Sequence, residues 1–176
     1  MIGLFQNYVE VRKNNVKVLI LGPYRPQKGK KLEDNPCLSR LRNVRDDMRA
    51  RGFKQTFLVV DFEDEVGVPL EVIREHFTAK SYFYIREWAD ICVFIFLRDC
   101  DNSGVEDELD YLVLKVRDKI PCSTIIHPEE IELSGLRVGK IRGLRIRQNP
   151  YNNDNEIEDF IYNSSFQILY ALLIME

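Results

Sequence analysis

Ile91-Cys92-Val93-Phe94-Ile95-Phe96-Leu97 is an unbroken apolar run of β-branched and aromatic residues, closed off by Asp90 before it and by Arg98-Asp99-Cys100-Asp101-Asn102 after it. A run this short, with no polar alternation, reads as a strand buried on both faces, the kind found inside a parallel sheet. Working outward, Val16–Leu21 (VKVLIL) has the same character and stops at Gly22-Pro23. Thr56–Asp61 (TFLVVD) reads as a second strand, and Cys122–Ile126 (CSTII) as a fourth, after the Lys119-Ile120-Pro121 break. Helical patterns fill the gaps. Leu41, Val44 and Met48 recur at helical spacing in Ser39–Arg51, with Gly52 as the stop. Leu70–His76 and Ser81–Trp88 follow, then Val105–Val116 with Leu109, Leu112 and Val113 on one side.

The alternation β-α-β-α-β-α-β predicts an α/β fold, a Rossmann-like or flavodoxin-like three-layer sandwich around a mostly parallel sheet of about five strands. Leu136–Arg147 (LRVGKIRGLRIR) alternates apolar and basic residues and is expected to supply a fifth edge strand or hairpin, with a linker at Gln148–Asn155. The chain reads as a single domain over 1–176, with an N-terminal extension at 1–15 and an amphipathic C-terminal helix at 155–175. Pro26–Pro36 is too polar and basic for core and is expected to form a surface loop. A sheet of this kind binds ligands beyond the carboxyl ends of its strands, so function is expected after Leu21, Asp61 and Leu97.

Composition narrows the classes further. With 176 residues, 45% of them hydrophobic and 30% charged, the chain can bury one substantial core, so stability requires neither a metal nor a disulfide and any such site would be functional. The net charge of −3 argues against a general affinity for nucleic acid or membrane. That average hides 13 basic against 4 acidic residues between Arg12 and Lys54, enough for a local anion site. Cys37, Cys92, Cys100 and Cys122 contain no C-x-x-C pair and are expected to be reduced. The first residues lack the apolar core of a signal peptide, and Ile168–Met175 is too short to span a bilayer, so a cytoplasmic location without membrane contact is expected.

Two stretches carry candidate chemistry. Gly22-Pro23-Tyr24-Arg25 follows the first strand: the glycine permits close approach, the tyrosine offers a ring and hydroxyl, and the arginine offers a donor fork for phosphate or carboxylate. An exposed arginine in an ordinary turn explains the same residues. It is not a Walker A loop, since Gly22 and Gly29 enclose six residues in place of four and Lys31 stands where Ser or Thr should hold magnesium. The second stretch runs from Ala89-Asp90 to Asn102-Ser103-Gly104-Val105-Glu106-Asp107-Glu108-Leu109-Asp110-Tyr111. Ser103 is expected to cap a helix with Glu106 in a capping box, and Glu108 then lies one turn inside it, near the ligand crevice. Carboxylates in a first helical turn are also favoured by the helix dipole alone. Asp90 precedes its strand and is expected to be a turn residue.

These residues resemble the nucleoside 2-deoxyribosyltransferase family and its nucleotide N-glycosidase relatives, whose pattern is a Gly-Pro-aromatic turn, then Ala-Asp before an apolar strand, then Asp-Ser-Gly-x-x-x-Glu-Leu-Gly-Tyr. Order and spacing agree over roughly residues 16 to 126. The resemblance implies that Glu108 attacks the anomeric carbon of a deoxyribosyl group, that the base leaves, and that a second base or water resolves the glycosyl-enzyme. It implies a contribution from Asn102, substrate contacts from Gly22, Pro23, Tyr24, Arg25, Asp61, Ser103 and Gly104, no metal or organic cofactor, and a homodimer. Three positions depart from the pattern: Asn102 replaces an Asp, Tyr82 stands where another carboxylate is expected, and Asp110 replaces a Gly.

Three readings follow. The first is a glycosidic-bond enzyme acting on small deoxynucleosides or nucleotides, with an NAD-type nucleotide as a related substrate. The second is a non-catalytic nucleotide sensor of the same fold, suggested by Asn102 and Tyr82. The third is a nucleic-acid or protein adaptor using Lys17–Lys54 and Arg137–Arg147, which the net charge makes the least expected. His127, after the fourth strand, is a better functional candidate than His76.

Overall fold

The computed structural model describes residues 2–24, 34–62, 70–130 and 146–175. Helix α1 (Ile2–Asn15) leads into β1 (Lys17–Leu21), α2 (Pro36–Ala50) and β2 (Gln55–Leu58). Helix α3 (Leu70–Phe83) widens into a π turn at Tyr84–Trp88, before β3 (Ile91–Ile95) and α4 (Ser103–Lys115). Strands β4 (Ser123–Pro128) and β5 (Arg147–Tyr151) precede the terminal helix α5 (Ile157–Met175). Among the described residues the sheet has five strands in the order β2-β1-β3-β4-β5, all paired in parallel. This is the α/β sandwich of Rossmann or flavodoxin type that the alternation predicts.

The central position of β3 explains its composition. Every residue from Ile91 to Ile95 is buried, because helices cover both faces of the sheet. On one side, α5 packs on β3, β4 and β5 and against α2. On the other, α4 packs on β3 and against α3. Strand alternation divides β4 accordingly. The Asn149 amide donates to both Thr124 Oγ1 and Ser164 Oγ of α5, at 3.0 Å each, so Thr124 faces α5 while Ile125 and His127 face the α4 layer.

Beyond shifts of a few residues at element ends, such as β3 stopping at Ile95, four elements differ from the sequence expectation. The second strand ends at Leu58, because the Asp61 carboxylate accepts the Leu58 amide at 2.7 Å and turns Val59–Phe62 into a 3-10 helix. Residues 70–83 form one helix where two were expected. The fourth strand is shifted to Ser123–Pro128. The fifth strand is cut from the expected linker: Arg-Gln-Asn-Pro-Tyr at 147–151 pairs with β4, while the basic alternation at 136–145 lies outside the described residues. Polarity concealed this strand, but its polar groups are satisfied, and the buried Tyr151 donates its hydroxyl to the Phe96 carbonyl at 3.1 Å. The Tyr151 carbonyl accepts from Glu129 N, so residues 147, 149 and 151 turn their backbone toward β4, and Pro150 turns its nitrogen outward, where a missing donor costs no ladder bond.

The N-terminal extension is a helix that closes the base of the molecule. Lys13 is only 6% exposed, pairs with Glu10, and lies over the rings of Phe53 and Tyr162. Gly52 has φ of +104°, and a side chain there would strike the Lys13 stem at 2.5 Å, so this helix stop is specific to glycine. No described helix is long and apolar enough to cross a membrane.

Candidate functional site

The strand order reverses between β1 and β3, which puts the ligand crevice of a doubly wound sheet beyond the ends of these two strands. Gly22 leaves β1 against α2, where an added Cβ would meet Leu41 Cδ1 at 2.5 Å. Its smallness serves helix packing. Tyr24 N donates to Gly22 O at 2.9 Å in a tight turn, and the Tyr24 hydroxyl accepts from Val59 N at 3.2 Å. With Pro23 also buried and Tyr24 only 4% exposed, the ring ties the end of β1 to the turn after β2 and presents no open stacking face. Arg25 lies outside the described residues.

Asp61 is engaged in structure. Besides holding Leu58 N, it pairs with Arg45 and stands 3.9 Å from Arg49, both on α2, with a side chain 13% exposed. Beyond β3, Asn102 closes the loop by accepting from Leu97 N at 3.0 Å and donating to Leu97 O at 3.0 Å and Cys100 O at 3.2 Å. An aspartate could make only the first of these bonds at neutral pH. Asp99, in the same loop, adopts a left-handed backbone with φ of 57°. The expected Ser103–Glu106 capping box does not form. Asn102 occupies the N-cap position with its side chain turned back toward Leu97, and the Asp101 carboxylate receives Ser103 N at 3.1 Å instead. A capping box does exist at Asn153 and Glu156, leading into α5.

Helix α4 brings Ser103, Gly104 and Glu108 together in its first two turns. Ser103 is exposed, Gly104 is fully enclosed, and Glu108 is 6% exposed among Val105, Leu109 and Leu112. Glu106, Asp107 and Asp110 sit further out on the helix. Tyr82 of α3 stacks on Tyr111 of α4 at 4.0 Å with rings 5° from parallel, a helix–helix contact. Trp88 packs edge-on to Phe57 and Phe62 beside the β2 edge. Asp90, as expected, is a turn residue at the opposite end, exchanging bonds of 2.9 Å with Lys17 N and O.

Sequence reasoning passed over two features of the crevice rim. Arg98 pairs in bidentate fashion with Glu130, reaches Asp154 at 2.9 Å and the Tyr151 carbonyl at 3.3 Å, and lies over the Tyr151 ring. The Arg98 hydrogen bond holds the Glu130 carboxyl near 2, and burial pushes Tyr151 up to about 12. The only sequence signal was the position of Arg98 directly after the central strand. The second feature corrects the expectation of reduced cysteines: Cys37 and Cys100 form a disulfide, with Cα atoms 6.4 Å apart. Sequence spacing hid this pair because its members stand 63 positions apart and only the fold joins them. Cys92 and Cys122 are free.

His127 is 8% exposed, with Nδ1 2.9 Å from the Pro128 carbonyl; with that nitrogen donating, Nε2 is left as a bare acceptor, and no described group bonds to it. At the base of the sheet, a cavity of about 500 Å³ opens between Arg12, Asp90, Lys119, Cys122, Leu169 and Leu172. No protein-family model, curated protein or solved structure matches the chain.

Proposed function

We propose that the protein is an enzyme of the N-glycosidic bond, transferring or hydrolysing the sugar of a deoxynucleoside or nucleotide with Glu108 as nucleophile. The observation that carries this reading is the burial of Glu108, a carboxylate only 6% exposed one turn inside the helix that follows the central strand. In the proposed reaction a Glu108 oxygen bonds to the anomeric carbon as the carbon–nitrogen bond breaks, and the base departs with the bonding pair and takes up a proton. Water or a second base then attacks the same carbon and releases the carboxylate. The start of α4, with exposed Ser103 and enclosed Gly104, suits a 5′-phosphate. The chemistry requires no metal or organic cofactor.

The reading includes a cytoplasmic location and a homodimer. Exposed Tyr170 and Ile174 at the end of α5 support association there. A nucleotide sensor is the second reading, favoured by the commitment of Asn102 to loop closure and of Tyr82 to stacking on Tyr111. Chromatographic assay of base release from deoxynucleosides, their 5′-monophosphates and NAD, with and without an acceptor base, separates the two. Release by the wild type that is lost in a folded Glu108→Gln variant is the expected result. Nucleotide-dependent thermal stabilisation without release would establish the sensor.

A further inference from the structure

The Cys37–Cys100 disulfide lies where a structural staple is least required and a gate has most effect. Cys37 is the second residue of α2, the helix that follows β1, and Cys100 is in the loop that follows β3, so the bond joins the two lips of the crevice at the point where the strand order reverses. With the two Cα atoms 6.4 Å apart, the bond holds the start of α2 against the loop that follows β3.

We propose that this pair is a reversible redox latch, closed as the disulfide and opened by a dithiol reductant to admit ligand to the crevice. The nucleotide identity of that ligand rests on the function proposed above.

Four observations carry the inference. The molecule already buries a continuous core on both faces of its sheet, so the cross-link is not needed to hold the fold. Both cysteines are only partly buried. Cys37 lies in the first turn of a helix, where the helix N-terminus stabilises a departing thiolate. The other two thiols do not compete: Cys92 is buried at the start of β3 and pushed up to about 12, and burial also raises Cys122. If the protein is cytoplasmic, as the proposed function expects, a disulfide is in the compartment where such bonds are transient.

The exchange balances. One thiolate of the dithiol attacks a sulfur of the pair, the Sγ–Sγ bond breaks, and the other cysteine leaves as a thiolate that takes up a proton. The second thiol of the reductant then displaces the mixed disulfide, leaving two protein thiols and an oxidised, cyclic reductant. A low-molecular-weight disulfide such as glutathione disulfide reverses the reaction.

The test compares air-oxidised full-length protein, the same protein in dithiothreitol, and a Cys37→Ser variant. Two additional cysteines should be alkylated after reduction under native conditions. Amide hydrogen exchange at Leu97 and Ser103 should accelerate about tenfold or more, with β3 and β4 unchanged. Binding of deoxynucleoside 5′-monophosphates, measured calorimetrically, should be at least about tenfold tighter in the reduced protein and in Cys37→Ser. A bond that dithiothreitol opens only on unfolding, unchanged exchange at Leu97 and Ser103, or equal nucleotide affinity in both redox states would overturn the latch. Faster exchange on reduction with no nucleotide bound in either state would support the latch and count against the nucleotide reading.

Discussion

Asn102 shows how one side chain can look catalytic in sequence and be architectural in space. Its amide uses a donor and an acceptor together, which lets it join the Leu97 peptide to the Cys100 carbonyl. Asn102→Asp keeps the acceptor and removes both donor bonds, so the variant should be less stable by about 1–3 kcal/mol in urea melts. It should gain no base-releasing activity, whatever the wild type shows. Tyr24, Asp61 and Tyr82 follow the same pattern: each was visible as a polar or aromatic group near a strand end or helix, and each is absorbed by a partner remote in sequence. Glu108 differs, being a buried acidic residue, and its spacing from the central strand was legible without coordinates. Partners such as Val59 for Tyr24 or Arg45 for Asp61 were not, because long-range pairing leaves no local periodicity.

At the scale of elements, the strands with apolar runs were legible and β5 was not. Periodicity reports a hydrophobic face, whereas β5 is an edge strand held by backbone pairing, by Asn149 between Thr124 and Ser164, and by one buried tyrosine. Tyr151→Phe should cost about 1 kcal/mol by leaving the Phe96 carbonyl without that partner, as measured by thermal unfolding. Helices α2 and α5 are fastened by the bidentate pairing of Arg40 with Glu158 and by Arg51 with Asp159. Burial is the largest single influence and would raise the Glu158 carboxyl, but the Arg40 hydrogen bond, the backbone hydrogen bond and the Arg40 charge together outweigh it and hold the group below its ordinary value. A carboxyl depressed in the folded state contributes stability above its unfolded value and loses it as pH falls through the folded one. Arg40→Ala should therefore destabilise the protein by about 1–3 kcal/mol at neutral pH. Denaturant melts run from pH 6 down to pH 3 should show the gap to wild type narrowing as Glu158 protonates.

For the whole molecule, the alternation of strands and helices was enough to read a parallel α/β fold from the sequence. What the alternation could not convey is how the rim is tied together. Arg98 connects the ends of β3, β4 and β5, and the disulfide connects α2 to the loop beyond β3, so the crevice is framed by contacts between segments far apart in sequence. Association belongs to this scale as well. If the exposed end of α5 mediates the proposed dimer, Ile174→Glu should shift the mass toward the monomer in sedimentation experiments without lowering the melting temperature of the dilute protein.

Pro150 has a consequence for how copies of the chain meet. An open strand edge with a full set of backbone donors can template the addition of a strand from another molecule, and indefinite edge-to-edge growth is how many sheets aggregate. The outward side of β5 lacks one of those donors at Pro150, where a foreign strand would find a gap in the ladder. Pro150 therefore interrupts the outer edge of the last of the five described strands and disfavours fibre-like growth of copies along it.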